Sequence, residues 1–219
     1  MAEDDPRHNR PDGGIYGSYS YGDEAHKVQI ILLDLRWNHT KYKQEGPIAA
    51  LTAYDSLTDP SATILGAEQW TWLESELRKP AKVRIIMSSL QFNTGYTGGE
   101  NWESVPAEKR KMISLLKTTQ ANGVFFLSGD VHYAEFTKVN IQVCIQFTIL
   151  PLVVLHGGPG AYEINEPYRI GKAVEKNNIG LINIDWNATP VKLKFEIYGN
   201  ALDLRPLLTH TVSLDELQF

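Results

Sequence analysis

Three short apolar runs, each ending abruptly in polar residues, restrict what this chain can fold into: Val28 to Asp34, Val83 to Ser89 and Val124 to Ser128. Uninterrupted apolar runs of this length suit strands buried on both faces, as in a parallel sheet. Two segments with helical periodicity separate them. In Ala67 to Arg78, Trp70, Leu73 and Leu77 recur on one face and leave Glu68, Glu74 and Glu76 outward. In Pro106 to Ala121, Met112, Leu115, Leu116 and Thr119 share a face. Ser104 is a candidate N-cap, Pro106 suits the first turn, and Asn122-Gly123 offers a left-handed stop. Strand, helix, strand, helix, strand predicts an α/β layer. Further strand-like runs are Val143 to Thr148, Gly180 to Trp186 and Val191 to Tyr198. In the last, Lys192, Lys194 and Glu196 alternate with Val191, Leu193, Phe195 and Ile197, which predicts an antiparallel or edge strand with one wet face. Trp37 to Leu65 and Asn93 to Glu103 read as loops, long enough to be functional or poorly ordered.

At 219 residues the chain can build one sizeable core. We divide it into a polar segment, 1–13, and one domain, 14–219. The net charge of -5, without a basic block, argues against a surface that tracks nucleic-acid phosphates. It does not exclude a phosphorylated small molecule, because a bound metal reverses the local field. One cysteine, Cys144, rules out an internal disulfide and Cys-rich zinc or iron–sulfur sites. Residues 1–12 show no signal-peptide pattern, and the longest apolar run, Phe147 to Leu155, is broken by Pro151 and too short to span a bilayer. The compartment stays open.

The chemistry concentrates in Gly123-Val-Phe-Phe-Leu-Ser-Gly-Asp-Val-His-Tyr-Ala-Glu135. Its strand delivers Asp130 and His132 to the carboxyl edge of the sheet, where open α/β folds place their sites. A carboxylate and an imidazole two residues apart can hold one ion, with iron, manganese, zinc or calcium suited to those donors. Alternatively, Asp130 caps a turn and His132 bonds to backbone. Asp34 and Arg36 end the first strand, either as a structural ion pair or as site residues. Ser88, Ser89 and Gln91 could satisfy loop backbone or line a phosphate pocket. Trp102 reads as a loop aromatic over the helix start, and Trp70 and Trp72 as core. His156-Gly157-Gly158-Pro159-Gly160 lacks the Lys-Ser/Thr of a phosphate loop and reads as a flexible turn. No G-x-S-x-G elbow occurs, which argues against a serine hydrolase. His8, His26, His39 and His210 lie in polar or terminal surroundings, as solvated imidazoles do.

The order GIYGSYSYG, VQIILLDLRW, ILGAEQWTWLESEL, VRIIMSSLQF, NWES-x-PAEKR, GVFFLSGDVHYAE, NEPYRIG and GLINIDW resembles the C-terminal half of PhoD-like (alkaline phosphatase D type) metallophosphatases, from about Gly14 to Trp186. The resemblance implies a metallophosphoesterase-like α/β fold, a two-sheet sandwich flanked by helices. It also implies metal-dependent hydrolysis of phosphate monoesters or diesters. Asp130 and His132 carry over as metal-site residues, and Asp34 and Arg36 as catalytic candidates beside them. Members of the family hold further ligands in an upstream acidic Trp-Asp-Asp-His-like segment, which nothing here matches. Glu3-Asp4-Asp5-Pro6-Arg7-His8 matches the family's linker instead, and Leu155-His-Gly-Gly-Pro-Gly160 replaces its usual Ser/Thr-Ser-Gly turn. The domain therefore reads as partial, its N-terminal half missing, and inactive alone. A sheet edge left uncovered would favour self-association. The alternative is a non-catalytic remnant of the fold that acts as a binding or interaction module.

Overall fold

A computed structural model of the protein describes residues 5, 7, 10, 12–42, 55–95, 99–131, 133–139, 144–148, 167–175, 177–199 and 205–219. The three apolar runs form adjacent parallel strands: β2 (Val28–Leu32), β3 (Val83–Ser88) and β4 (Val124–Ser128). Helix α1 (Gly66–Leu77) joins β2 to β3, and α2 (Pro106–Thr118) joins β3 to β4. Around this unit, β1 (Gly17–Tyr21) pairs antiparallel with β2. On the other side, β6 (Cys144–Thr148) runs parallel to β4, followed by β5 (Ala134–Val139) and β7 (Arg169–Val174). The seven-stranded order is β1-β2-β3-β4-β6-β5-β7. A second, antiparallel sheet has the order β10-β9-β8, from β8 (Ile179–Asp185), β9 (Lys192–Tyr198) and β10 (Leu208–Ser213). Among the described residues the architecture is mixed α/β, with two sheets and few helices.

Strand alternation explains the layering. Ile31, Ile86, Val124 and Phe126 join Trp70, Leu73, Met112 and Leu116 of the helices in one core. Val83, Phe125 and Phe136 point the opposite way and pack against Leu193, Phe195 and Ile197 of the small sheet. The parallel strands are thus buried on both faces. β9 is the central strand of its sheet rather than an edge, and its Glu196 is buried between Lys194 and Tyr198, at 2.7 and 3.3 Å.

Several local expectations are corrected. Val105, not Ser104, occupies the N-cap of α2. Ser104 lies in a 3-10 turn (Trp102–Ser104) and donates to the carbonyl of Gly99 at 2.6 Å. The left-handed residue after α2 is Gln120, at φ 51°. Gly123 is also left-handed, for another reason: a Cβ there would meet the carbonyl oxygen of Lys82 at 2.0 Å. Glu76 is buried, held by Gln29 Nε2 and Lys79 Nζ. Trp102, just before the start of α2, is fully buried, and its indole donates to Ser88 Oγ at 3.0 Å. Trp70 is core as expected, while Trp72 is half-buried against the ring of Tyr16, with centroids 4.6 Å apart.

The helices meet through the buried carboxylate of Glu108 in α2. It accepts from the Trp70 indole at 2.8 Å, from the backbone N–H of Ile64 and Leu65 at 2.9 and 3.3 Å, and from Thr63 Oγ1 at 3.0 Å. Glu108→Ala strands those buried donors at about 1–3 kcal/mol each. The variant should lose at least ~3 kcal/mol of unfolding free energy in urea titration, and an unchanged midpoint would show that water replaces the carboxylate.

Candidate functional site

The parallel register aligns the carboxyl ends of three strands, since Leu32 faces Met87, Met87 faces Leu127 and Ser88 faces Ser128. Asp34, Ser88 to Gln91 and Asp130 therefore leave the sheet on one edge. Asp130 is exposed and left-handed, at φ 75°. That conformation is uncommon outside glycine and costs a non-glycine residue about 1–3 kcal/mol. His132 lies outside the described residues, as does the 156–160 segment.

Asp34 organises the turn that follows β2. Its Oδ1 accepts from the backbone N–H of Arg36 and Trp37 at 2.9 and 3.0 Å, and its Oδ2 from Ile15 N–H at 2.9 Å. Buried Gln69 clamps the Asp34 backbone from α1: its Oε1 accepts the Asp34 N–H at 2.9 Å and its Nε2 donates to the Asp34 carbonyl at 2.7 Å. Gly66 lets α1 start so close, because a Cβ there would stand 2.8 Å from that of Asn38.

Arg36 does not pair with the Asp34 carboxylate through its side chain. The guanidinium reaches Glu100 instead, at 2.6 Å, and stays about half exposed. Partial burial works against its charge, but the hydrogen bond and field of Glu100, with the fields of Asp130 and Tyr42, outweigh that and raise its pKa. Arg36, Glu100 and Asp130 thus form one electrostatic group built from three separate loops. Sequence reasoning missed Glu100, which sits in a polar loop with no periodicity to mark it.

Beneath this edge lies a second network. Fully buried Glu135 pairs with Arg169 at 2.6 Å, and Gln91 Nε2 donates to Glu135 Oε1 at 3.3 Å. Ser88 Oγ donates to the carbonyl of Leu90 at 2.6 Å. Ser88 and Gln91 therefore satisfy the buried strand end. Ser89 is exposed at the edge.

Two histidines expected to be solvated are not. His39 packs against Tyr42 with centroids 4.7 Å apart, and burial lowers its pKa. His210 lies 6.0 Å from the Phe136 ring, and burial lowers its pKa also. His26 is exposed and bonds to Asp23 at 2.9 Å.

Asp130 offers a hard oxygen donor with a cation beside it, which suits a metal–phosphate site in kind. Among the described residues, however, no group of three His, Cys, Asp or Glu stands together to hold an ion. No helix among the described residues is long and apolar enough to cross a membrane.

Residues 3–154 match the model of a family described as PhoD-like phosphatase. Over 143 residues the chain is 28% identical to alkaline phosphatase D of Bacillus subtilis (strain 168), a match covering 61% of this chain and 24% of that protein. The solved structure of PhoD superposes with a TM-score of 0.62 and 16% identity, over 91% of this chain and 40% of that one. GAP50, the anchor in the inner membrane complex of Plasmodium, superposes with a TM-score of 0.53 and 15% identity, over 93% of this chain and 55% of that one. At such identities these likenesses show the fold alone. The chain spans about a quarter of the Bacillus protein's length.

Asp34→Asn leaves one oxygen where two carboxylate oxygens met three N–H donors. Amide hydrogen exchange at Ile15, Arg36 and Trp37 should accelerate about tenfold or more, the equivalent of ~1.4 kcal/mol; unchanged protection would show that the turn holds without the charge. A second expectation concerns pH. The unfolded chain protonates His39 and His210 near the ordinary value of 6.5, above their folded pKa values. Their contribution to stability is whole above that pH and is lost as pH falls below it. Urea midpoints should fall between pH 6.5 and 5, and less steeply in His39→Gln/His210→Gln; parallel profiles would refute the assignment.

Proposed function

Because the chain belongs to the PhoD-like phosphatase family, we propose that it carries part of a metal-dependent phosphoesterase site that acts on small phosphate monoesters or diesters. The observation that supports this reading is the grouping of Arg36, Glu100 and Asp130 at the carboxyl edge of β2 and β4.

Asp130 and His132 would hold the ion, whether calcium, iron, manganese or zinc. When bound, such an ion supplies Lewis acidity to a phosphoryl group. The chain's own residues divide the remaining work. Asp130 contributes the negative charge that makes the edge a cation site. The half-exposed Arg36 guanidinium has donors available for phosphoryl oxygens, with the planar fork such oxygens favour. Glu100 keeps the guanidinium in place at 2.6 Å. Asp34 acts as a positioning residue, fixing the backbone of Arg36 rather than touching substrate.

Two ligands give little of the usual chelate stabilisation, so the 219-residue chain by itself should not turn over. The second reading is a non-catalytic binding module of the same fold. In either case, edge strand β1, with Tyr19 and Tyr21 exposed, is where copies of the chain would associate.

Calorimetric titration with manganese, zinc and calcium should show weak binding that diminishes further in Asp130→Ala. Tight binding that survives this substitution would place the ligands elsewhere. Phosphate release from aryl monoesters and diesters, measured with and without chelator, should stay at background for this chain. Joined to an upstream family segment with further acidic ligands, it should become active, and Asp130→Asn should then lower kcat about 100-fold or more. Chelator-sensitive turnover by the 219-residue chain would refute incompleteness; a joined chain that binds metal yet hydrolyses nothing would favour the binding module.

A further inference from the structure

The opposite end of the parallel strands carries a feature that the catalytic reading does not use. Between the starts of β2, β3 and β4 and the ends of α1 and α2 lies an open cleft of about 520 Å³. That volume falls within the ~300–1,000 Å³ typical of small-molecule sites. Its charged lining is Lys27, Arg78, Lys79, Lys82 and Arg84 against a single carboxylate, Glu24. In a chain of net charge -5, this is a local reversal of sign.

The floor of the cleft is Arg84, which is 5% exposed. Its guanidinium donates only to neutral carbonyls: Asn122 and Lys79 at 2.7 Å, Ala81 at 3.2 Å and Leu77 at 3.5 Å. These carbonyls lie at the ends of both helices and in the turns after them, so Arg84 ties those ends to β3. Among the described residues no carboxylate pairs with it, and its Nε is buried without a partner. Burial lowers its pKa, as expected for a cation with no counter-charge. Above it, Arg78 and Lys79 are engaged by Glu74 and Glu76 of α1. Lys27 and Lys82 have no ion pair among the described residues, and their backbones are bonded to each other, Lys82 N–H to the Lys27 carbonyl at 2.9 Å. The main chains of two lysines without an ion pair among the described residues are therefore held together at one rim of the cleft, near a buried guanidinium met only by carbonyls. A charge held in such a partly desolvated place is offset most effectively by an anion.

We propose that this cleft is a binding site for the phosphate group of a small polyanion, separate from the catalytic edge. A phosphate offers several acceptor oxygens to the ammonium groups of Lys27 and Lys82 and complements the charge of Arg84 below them. The separation from the catalytic edge is roughly 17 Å, the length of the intervening strand at about 3.3 Å per residue. Occupation also draws together the ends of both helices and the starts of three strands, so the site links ligand to stability rather than to turnover.

The test is a titration of the 219-residue protein with inorganic pyrophosphate, followed by backbone amide NMR at constant ionic strength. Amides of residues 24–27, 78–84 and 119–123 should shift together and saturate. The same response should persist in Asp130→Asn, which disables the opposite edge. Lys27→Gln/Lys82→Gln should weaken the apparent affinity at least tenfold, and Lys27→Glu/Lys82→Glu should abolish saturation. Neither pair removes the buried guanidinium that holds the helix ends, so both variants keep the fold for comparison. Shifts confined to residues 34–37 and 128–131, affinity unchanged in the Gln pair, or an equal response to sodium chloride would each overturn the proposal.

Discussion

The buried Glu108 carboxylate ties the two helices of the parallel layer together. It lies in α2, yet it satisfies the backbone just before α1 and the indole of Trp70 on that helix. The first helical N–H, that of Gly66, meets Thr63 Oγ1 at 2.9 Å, and the carboxylate stands as an anion near the positive end of the α1 dipole. The position of α1 follows from this contact. With α1 fixed, Gln69 reaches the backbone of Asp34, and Asp34 in turn shapes the turn that presents Arg36. A surface-exposed arginine is thus located through a chain of hydrogen bonds that begins one helix away.

The two ends of the parallel sheet show how one fold treats opposite charges. At the carboxyl ends, the chain emerges into loops long enough to bring Arg36, Glu100 and Asp130 together. At the amino ends the loops are short, and Gly123 passes so close to Lys82 that no side chain fits between them. The helices end there, exposing carbonyls that only a donor can satisfy. Arg84 meets that demand from within β3, and a buried cation is the consequence.

The motif segments that resemble the family turn out to be halves of contacts. Asp34 meets Gln69, Trp70 meets Glu108, Ser88 meets the indole of Trp102, and Glu135 meets Arg169. Each pair joins segments far apart in the chain, so neither half announces its role alone. The family model matches residues 3–154 and therefore excludes Arg169, although the contact with Glu135 places that arginine in the same network.

The sequence by itself determined the strand–helix alternation from Val28 to Ser128, the parallel arrangement of the three apolar runs and the edge on which Asp34 and Asp130 emerge. Those features rest on local periodicity and on where apolar runs stop, and both are one-dimensional signals. It also carried the family resemblance through segments in order. Only the tertiary structure decided that Glu76, Glu108, Arg84 and Glu135 are interior, because a charged side chain's burial depends on partners that the chain supplies from elsewhere. It likewise decided that Arg36 pairs with Glu100 rather than Asp34. Two residues apart in sequence, Asp34 and Arg36 look like partners; the Asp34 carboxylate instead caps the backbone between them, and the long arginine side chain reaches a loop 64 residues away.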